Sequence, residues 1–235
     1  AVIGDSHAGA LARGLSQFGE TSGQKVAVFA RHSCRPLWGV TMERDVEPTF
    51  GASCEAFMRD AFRRVRANPD IQVVILSGLW NGPLANVDET LVRWGSVPAG
   101  SRPEGEDALL RAGLSEAMEQ LEASGKRVQL TAGMPYWPVD PVLLTVNSLI
   151  PVRARLFELT SREAGAVSGD LAYARVANAA DRIVRDVAAS KRSGVLDARQ
   201  IFCTGPDHCQ FKSGHMPLFD DPSHVSLEGA RRISE

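Results

Sequence analysis

Short apolar runs alternate with amphipathic stretches along the whole chain. Ala1–Gly4, Lys25–Ala30, Ile71–Leu76, Arg127–Ala132 and Gly194–Asp197 are nearly continuous in apolar character and four to six residues long. Such runs read as strands buried on both faces. Between them, apolar residues recur at helical spacing. Ala8, Leu11, Leu15 and Phe18 form one stripe with Gly19 as its stop; Phe57, Ala61 and Val65 form a second, ended by Asn68-Pro69. Leu110, Leu114, Ala117 and Leu121 form a third, closed by Gly125, and Tyr173, Val176, Ala180, Ile183 and Val187 a fourth, closed near Gly194. A last helix is predicted after Ser226, with Leu227, Ala230 and Ile233 facing inward.

Strand–helix alternation of this kind predicts an α/β fold: a three-layer α/β/α sandwich around a parallel sheet of about five strands. In open parallel sheets ligands bind beyond the carboxyl ends of the strands, so the loops there are where chemistry is expected. Three are long, His32–Ser53, Gly78–Asp107 and Gly133–Asn147, and Ala99–Asp107 reads as the most mobile segment.

Composition narrows the class without naming a function. With 44% hydrophobic and 23% charged residues and a formal charge of −2, the chain is ordinary globular protein. A chain of 235 residues buries about 70% of its extended surface, enough for one large domain without covalent staples. The apolar stretches, Val73–Leu76 and Pro141–Leu144 among them, fall far short of the ~20 residues of a membrane-spanning helix. The near-neutral charge gives no basic stripe, so no nucleic-acid partner is expected. Two features stand out: four cysteines in a chain that needs none for its core, and a first residue already in mid-strand.

The first strand runs directly into Gly4-Asp5-Ser6-His7 and then a helix. Ser6 is thereby placed at a strand-to-helix turn, with its N–H at the positive end of the helix dipole, where a developing oxyanion is stabilised. A serine alone at such a position reads first as an N-cap. Near the other end stands Asp220-Asp221-Pro222-Ser223-His224. Asp221 and His224 are three residues apart, so one turn of chain lets the carboxylate hold one imidazole nitrogen while the other faces a nucleophile. Alone, His224 reads as a capping or surface histidine.

Together these residues resemble the SGNH (GDSL-type) hydrolases. Gly4-Asp5-Ser6 matches the first block of that family and Asp221-x-x-His224 the last, about 215 residues apart. The resemblance implies a flavodoxin-like SGNH fold with Ser6 as nucleophile, His224 as general base and acid, and Asp221 as its orienter. It also implies an oxyanion hole formed by Ser6, an Asn and a Gly. Ser77-Gly78-Leu79-Trp80-Asn81-Gly82 offers Asn81, although the Asp of the family's Gly-x-Asn-Asp block is missing and the spacing differs by one. Asn81-Gly82 also reads as a plain tight turn. Pro36-Leu37-Trp38-Gly39 offers Gly39, chosen ahead of Gly51.

A narrower likeness lies in Trp80, in Cys34 and Cys54 flanking Pro36-Leu37, and in the tail. The tail runs from Asp197 through Cys203 and Cys209 to Leu218-Phe219-Asp220-Asp221-x-x-His224-Val225-Ser226-x-x-Gly229-Ala230. It looks like the SGNH domains fused to acyltransferase-3 (AT3) membrane proteins, which O-acetylate cell-surface polysaccharide such as lipopolysaccharide O-antigen. That resemblance implies a single SGNH domain over residues 1–235, excised from a longer membrane-anchored protein. It implies a periplasmic location, a polysaccharide acceptor, and an acetyl donor supplied by an AT3 membrane domain of the same chain, with no cofactor. An SGNH acetylesterase and a glycan-binding module assisting a membrane partner are the alternative readings.

Four cysteines allow three connectivities. Zinc held by Cys203, His208, Cys209 and His215 and free buried thiols are competing readings. The resemblance favours disulfides Cys34–Cys54 and Cys203–Cys209, which suit an oxidising compartment. His7, Trp38 and Trp80 are substrate-lining candidates. Trp38, Trp80, Trp94 and Trp137 all fall in or beside carboxyl-edge loops, where they would suit stacking on sugar rings if not packed in the core. Arg31 and Arg35 are candidates for an anionic glycan.

Overall fold

Val2–Gly4, every side chain of it buried, forms strand β1 and leads without a loop into helix α1, Ser6–Ser22. The computed structural model describes residues 1–80, 89–95, 105–150, 152–153, 170–174, 179–205 and 208–235. The further elements are β2 (Val28–Ala30), β3 (Val40–Arg44), α2 (Phe50–Ala67), β4 (Val73–Ser77), β5 (Glu89–Arg93), α3 (Glu106–Glu122), β6 (Arg127–Ala132) and α4 (Pro141–Ser148). After them come β7 (Leu171–Tyr173), α5 (Ala179–Ser190), β8 (Gly194–Asp197), α6 (Ala198–Phe202), β9 (His208–Gln210), β10 (Lys212–Ser213), β11 (Met216–Pro217) and α7 (Leu227–Ser234).

The chain divides into two compact units. The first comprises Ala1–Gly9, Ala27–Ala132 and Asn178–Leu196. It holds a five-stranded sheet in the order β2-β1-β4-β6-β8, with β1 parallel to both β2 and β4, and β4 parallel to β6. The α/β class and parallel sheet are those expected from the apolar runs. The order is that of flavodoxin-like sheets, whose switch point lies between the first strand and the strand inserted on its other side, here β1 and β4. Ile3, Val74, Leu76, Val128 and Leu130 point from one face of the sheet into a core built with α2, α3 and α5. Two of the long loops carry structure that local patterning does not show. Loop 32–53 contains β3 and loop 78–107 contains β5, and the two pair antiparallel from Val40↔Arg93 to Arg44↔Glu89.

The second unit comprises Ala10–Val26, Gly133–Ala177 and Asp197–Glu235. Its centre is an aromatic block: Trp137 against Phe211 and Phe219, and Phe219 against Phe202. Helices α1 and α7 approach closely, since a Cβ on Gly14 would lie 2.2 Å from the Ala230 carbonyl carbon. The strands β7 and β9 pair antiparallel.

Several expectations are corrected here. Tyr173 belongs to β7, paired with His208 across the ladder, and not to the helix that follows, which starts at Ala179. Its apolar spacing fits both periods, and cross-strand pairing decides. Helix α1 runs past Gly19 to Ser22, and Gly23 carries the left-handed turn (φ +70°) that ends it. Leu227 is 49% exposed, while Ala230 and Ile233 are buried. The segment 99–104 lies outside the described residues. No helix among the described residues is long and apolar enough to cross a membrane.

Candidate active site

In the first unit, Asp5 closes the turn between β1 and α1. Its side chain is buried, Oδ1 accepts the His7 N–H at 2.8 Å and Oδ2 accepts the Leu79 N–H at 2.7 Å. Its carbonyl takes the Gly9 N–H at 3.2 Å. Asp5 is therefore the N-cap of α1, and Ser6, half-buried, is the first helical residue. This resolves the ambiguity left by the sequence: capping is done by the aspartate, and the serine sits one residue further in, on the first turn at the positive end of the helix dipole.

The close approach of backbones fixes the small residues around it. A Cβ on Gly4 would stand 1.7 Å from the Ser77 carbonyl oxygen, and one on Gly78 would meet Asp5 Oδ2 and Pro36 Cδ, both at 3.2 Å. Gly4, Asp5, Pro36 and Gly78 thus come together at the carboxyl ends of β1 and β4, the crevice where such sheets bind ligands. Neither Asp5 nor Pro36 had been assigned a role from sequence; the Gly-Asp-Ser run contained the signal, since an aspartate ahead of a helix start is a capping residue.

The other predicted residues fall as follows. Asn81 lies outside the described residues. Gly39 has φ +72°, leads into β3 and gives its carbonyl to the Trp94 N–H; a Cβ there would meet Glu116 Oε2 at 2.6 Å. His7 is buried directly behind Asp5, and Trp80 is a core residue whose indole N–H donates to the Thr131 carbonyl at 2.6 Å. Trp38 is half-buried and packs on Trp94 and Phe62. Trp137 is 1% exposed, so neither it nor Trp80 is a rim tryptophan. Arg35 is also buried, while Arg31 is exposed and bonded to Ser53. Cys34 and Cys54 are joined, as are Cys203 and Cys209, which leaves no thiolate at either place for a metal.

In the second unit Asp221 and His224, paired on their spacing in the sequence, are hydrogen-bonded to each other. Asp221 Oδ2 accepts from His224 Nδ1 at 2.7 Å. Oδ1 accepts the backbone N–H groups of Ser223 and His224, each at 2.8 Å. One carboxylate oxygen thus builds the turn and the other orients the ring, so that His224 presents Nε2 as its proton-accepting nitrogen. Partial burial pushes the Asp221 carboxyl up, but the N–H of His224, the N–H of Ser223 and the His224 ring together outweigh it and hold the group below the ordinary carboxylate range. The turn is closed by the Asp220 N–H on the His224 carbonyl and by a Phe219–Val225 bridge. It is secured from α1 by Arg13 Nη2, which reaches Asp220 Oδ2 at 2.7 Å and the Val225 carbonyl at 2.8 Å.

A cleft of about 400 Å³ opens at the amino ends of β4, β6 and β8, lined by Lys126, Arg127, Lys191 and Arg192. Its lysines have structural partners: Lys126 holds the Asn68 carbonyl at the end of α2, and Lys191 pairs with Glu119. It lies at the edge of the sheet opposite to the one from which Ser6 follows β1.

A serine at a helix N-terminus and a histidine oriented by a carboxylate are group types that nucleophilic acyl-transfer enzymes use. A family model described as the SGNH domain fused to AT3 domains matches residues 1–235. The chain belongs to this family, whose superfamily comprises acyl-transferring and ester-hydrolysing enzymes. Among solved structures it is similar to the periplasmic domain of a lipopolysaccharide acetyltransferase from Salmonella ser. Paratyphi A, at 16% identity and a TM-score of 0.62, over 99% of this chain and 79% of that one. It is also similar to a GDSL-like lipase from Bacteroides thetaiotaomicron, at 12% identity and a TM-score of 0.50, over 99% and 82%. At these identities the likeness is one of fold. No curated protein matches the chain by sequence.

Proposed function

We propose that residues 1–235 are one extracytoplasmic SGNH domain that moves an acetyl group onto a hydroxyl of a cell-surface polysaccharide through an acyl-Ser6 intermediate. The observation that carries this reading is the Asp221–His224 pair at 2.7 Å in a chain whose family is fused to AT3 domains. Two disulfides fit an oxidising compartment, and a tethered AT3 membrane domain is the source of the acetyl donor.

His224 Nε2 takes the proton of Ser6 Oγ as Oγ attacks the acetyl carbonyl carbon. The negative charge gathers on the carbonyl oxygen, to be held by the Ser6 N–H, by Asn81 and by a backbone N–H near Gly39. The intermediate collapses, the donor's leaving group departs with the proton from His224, and acetyl-Ser6 remains. A sugar hydroxyl then gives its proton to His224 and attacks the same carbon, and Ser6 leaves and is reprotonated. Water in place of the sugar makes the same groups an acetylesterase, so acceptor binding and water exclusion separate the two outcomes.

Ser6→Ala is expected to abolish turnover of 4-nitrophenyl acetate; activity within about tenfold of wild type would remove Ser6 as nucleophile. Acetylated and unmodified polysaccharide, each supplied with and without membranes bearing the AT3 domain, separate transferase from esterase. Acetyl gain that needs the membranes supports transfer, and acetyl loss without them supports hydrolysis.

A further inference from the structure

Trp137 lies in the loop after β6 and touches the Asp221–His224 turn at both its crown and its foot. At the crown, its backbone N–H donates to the Pro222 carbonyl at 2.8 Å. At the foot, its ring meets Phe219 edge-on, with centroids 5.2 Å apart and planes at 64°. Phe219 is the residue that bridges Val225 and so closes the turn. The ring also packs on Phe211 (6.3 Å), and Phe219 on Phe202 (5.1 Å). The indole Nε1 is buried with no hydrogen-bond partner among the described residues. A buried tryptophan ordinarily finds one, so polar bonding of the side chain does not account for the residue here; ring shape and backbone do.

We propose that Trp137 is the positioning residue of the Asp221–His224 pair, holding the turn so that the imidazole keeps one orientation against its carboxylate. The proposal rests on the reading of His224 as the catalytic base. The turn contains Asp220, Asp221, Pro222 and Ser223, all polar or proline, and none of these is a large apolar anchor of its own. Beyond its own internal hydrogen bonds, it is held by Arg13 on Asp220 and Val225 and by Trp137 on Pro222 and Phe219. Of the two, the Arg13 pair is about half exposed and therefore weak, whereas Trp137 is fully buried. Loss of the ring removes one of the two aromatic neighbours of Phe219 and lets the turn shift, and a displacement near 1 Å is worth about 100-fold in rate when a reacting group is misplaced.

The test uses the chain of residues 1–235 and two readouts: the low-field Nδ1–H proton resonance of His224, and kcat and KM for 4-nitrophenyl acetate. Trp137→Phe keeps an aromatic edge on Phe219 while removing the unpartnered N–H and part of the ring volume. It is expected to keep the resonance and to stay within about threefold of wild type in kcat. Trp137→Ala is expected to lose the resonance and about 10- to 100-fold in kcat, with KM within about threefold and an unchanged circular dichroism spectrum. If Trp137→Ala does not fold, Trp137→Leu, which fills most of the space without a ring edge, takes its place with the same expectations. A folded Ala or Leu variant with the resonance intact and wild-type kcat overturns the proposal. So does a folded Trp137→Phe that loses more than about tenfold in kcat, because an aromatic edge on Phe219 would then not be what holds the pair. His224→Ala with turnover intact would instead sink the catalytic reading, and the resonance in the Trp137 variants would still report whether the ring orders the pair.

Discussion

Asp5 Oδ2 accepts the Leu79 N–H at 2.7 Å, so one carboxylate ties the carboxyl end of β1 to the segment leaving β4. Its other oxygen caps the helix that begins with Ser6. The proposed nucleophile is therefore placed by a buried acidic neighbour.

Removing that carboxylate should be felt in stability and in rate together. Asp5→Ala takes away an N-cap, worth about 0.5–2 kcal/mol, and leaves the Leu79 N–H without its acceptor, about 1–3 kcal/mol more. Urea unfolding is expected to show a loss of about 2–4 kcal/mol, with Asp5→Asn losing less because its amide oxygen can still cap. A change below about 0.5 kcal/mol would mean that the carboxylate is not the tie described.

Two glycines of the same helix should respond with opposite sign to the same substitution. Gly9→Ala meets only the Ala30 Cβ at 3.6 Å, an ordinary contact, so the helix-propensity gain of up to about 1 kcal/mol should appear as a raised Tm. Gly14→Ala would drive its Cβ to 2.2 Å from the Ala230 backbone. The resulting shift of α1 against α7 should outweigh that gain, with a net loss of about 1–3 kcal/mol. Gly4→Ala, at 1.7 Å from the Ser77 carbonyl, should give no folded protein. Thermal melts of Gly9→Ala and Gly14→Ala, and a circular dichroism spectrum of Gly4→Ala, check these outcomes.

The depressed carboxyl of Asp221 gives a pH signature whose sign is fixed. A group held below its ordinary value contributes stability above the ordinary carboxylate range and loses it as pH falls through its folded value. The stability difference between wild type and Asp221→Asn should therefore be present near neutrality and close as pH drops below about 4. Parallel denaturation curves from pH 7 downward test this; a difference that widens on acidification would contradict the sign.

The two disulfides should differ in their weight. In the chain-entropy account, the bond spanning 20 residues contributes about 3 kcal/mol and the one spanning 6 about 2 kcal/mol. The Cys34→Ser, Cys54→Ser pair is therefore expected to lower Tm more than the Cys203→Ser, Cys209→Ser pair. The latter should disturb turnover more for its size, because Cys203 follows Phe202 and Cys209 precedes Phe211, both in the block that carries Phe219 and Trp137. Mass spectrometry without reductant should count no free thiol, in keeping with the structure.

Much of the fold was legible because parallel strands buried on both faces leave a local mark. Arg127–Ala132 and Gly194–Asp197 coincide with β6 and β8, and Asn68 and Gly125 mark the ends of α2 and α3. The hairpin of β3 with β5 was not legible. Its strands stand almost fifty residues apart, inside loops rich in Gly and Pro, and nothing local says that Met42 will face Leu91.

The sequence by itself determined the class of the domain, the chemical types at its two motifs, and the pairing of aspartate with histidine. Those depend on near neighbours in the chain: a strand feeding a helix, and a three-residue interval closed by one turn. Only the tertiary structure decided that Asp5 rather than Ser6 caps α1, that Trp80 and Trp137 are interior, and that a loop after β6 carries the support for the Asp221–His224 turn. Burial and hydrogen bonding are set by what the folded chain brings alongside from far away, and a tryptophan reads the same in a sequence whether it will meet a sugar or a phenylalanine.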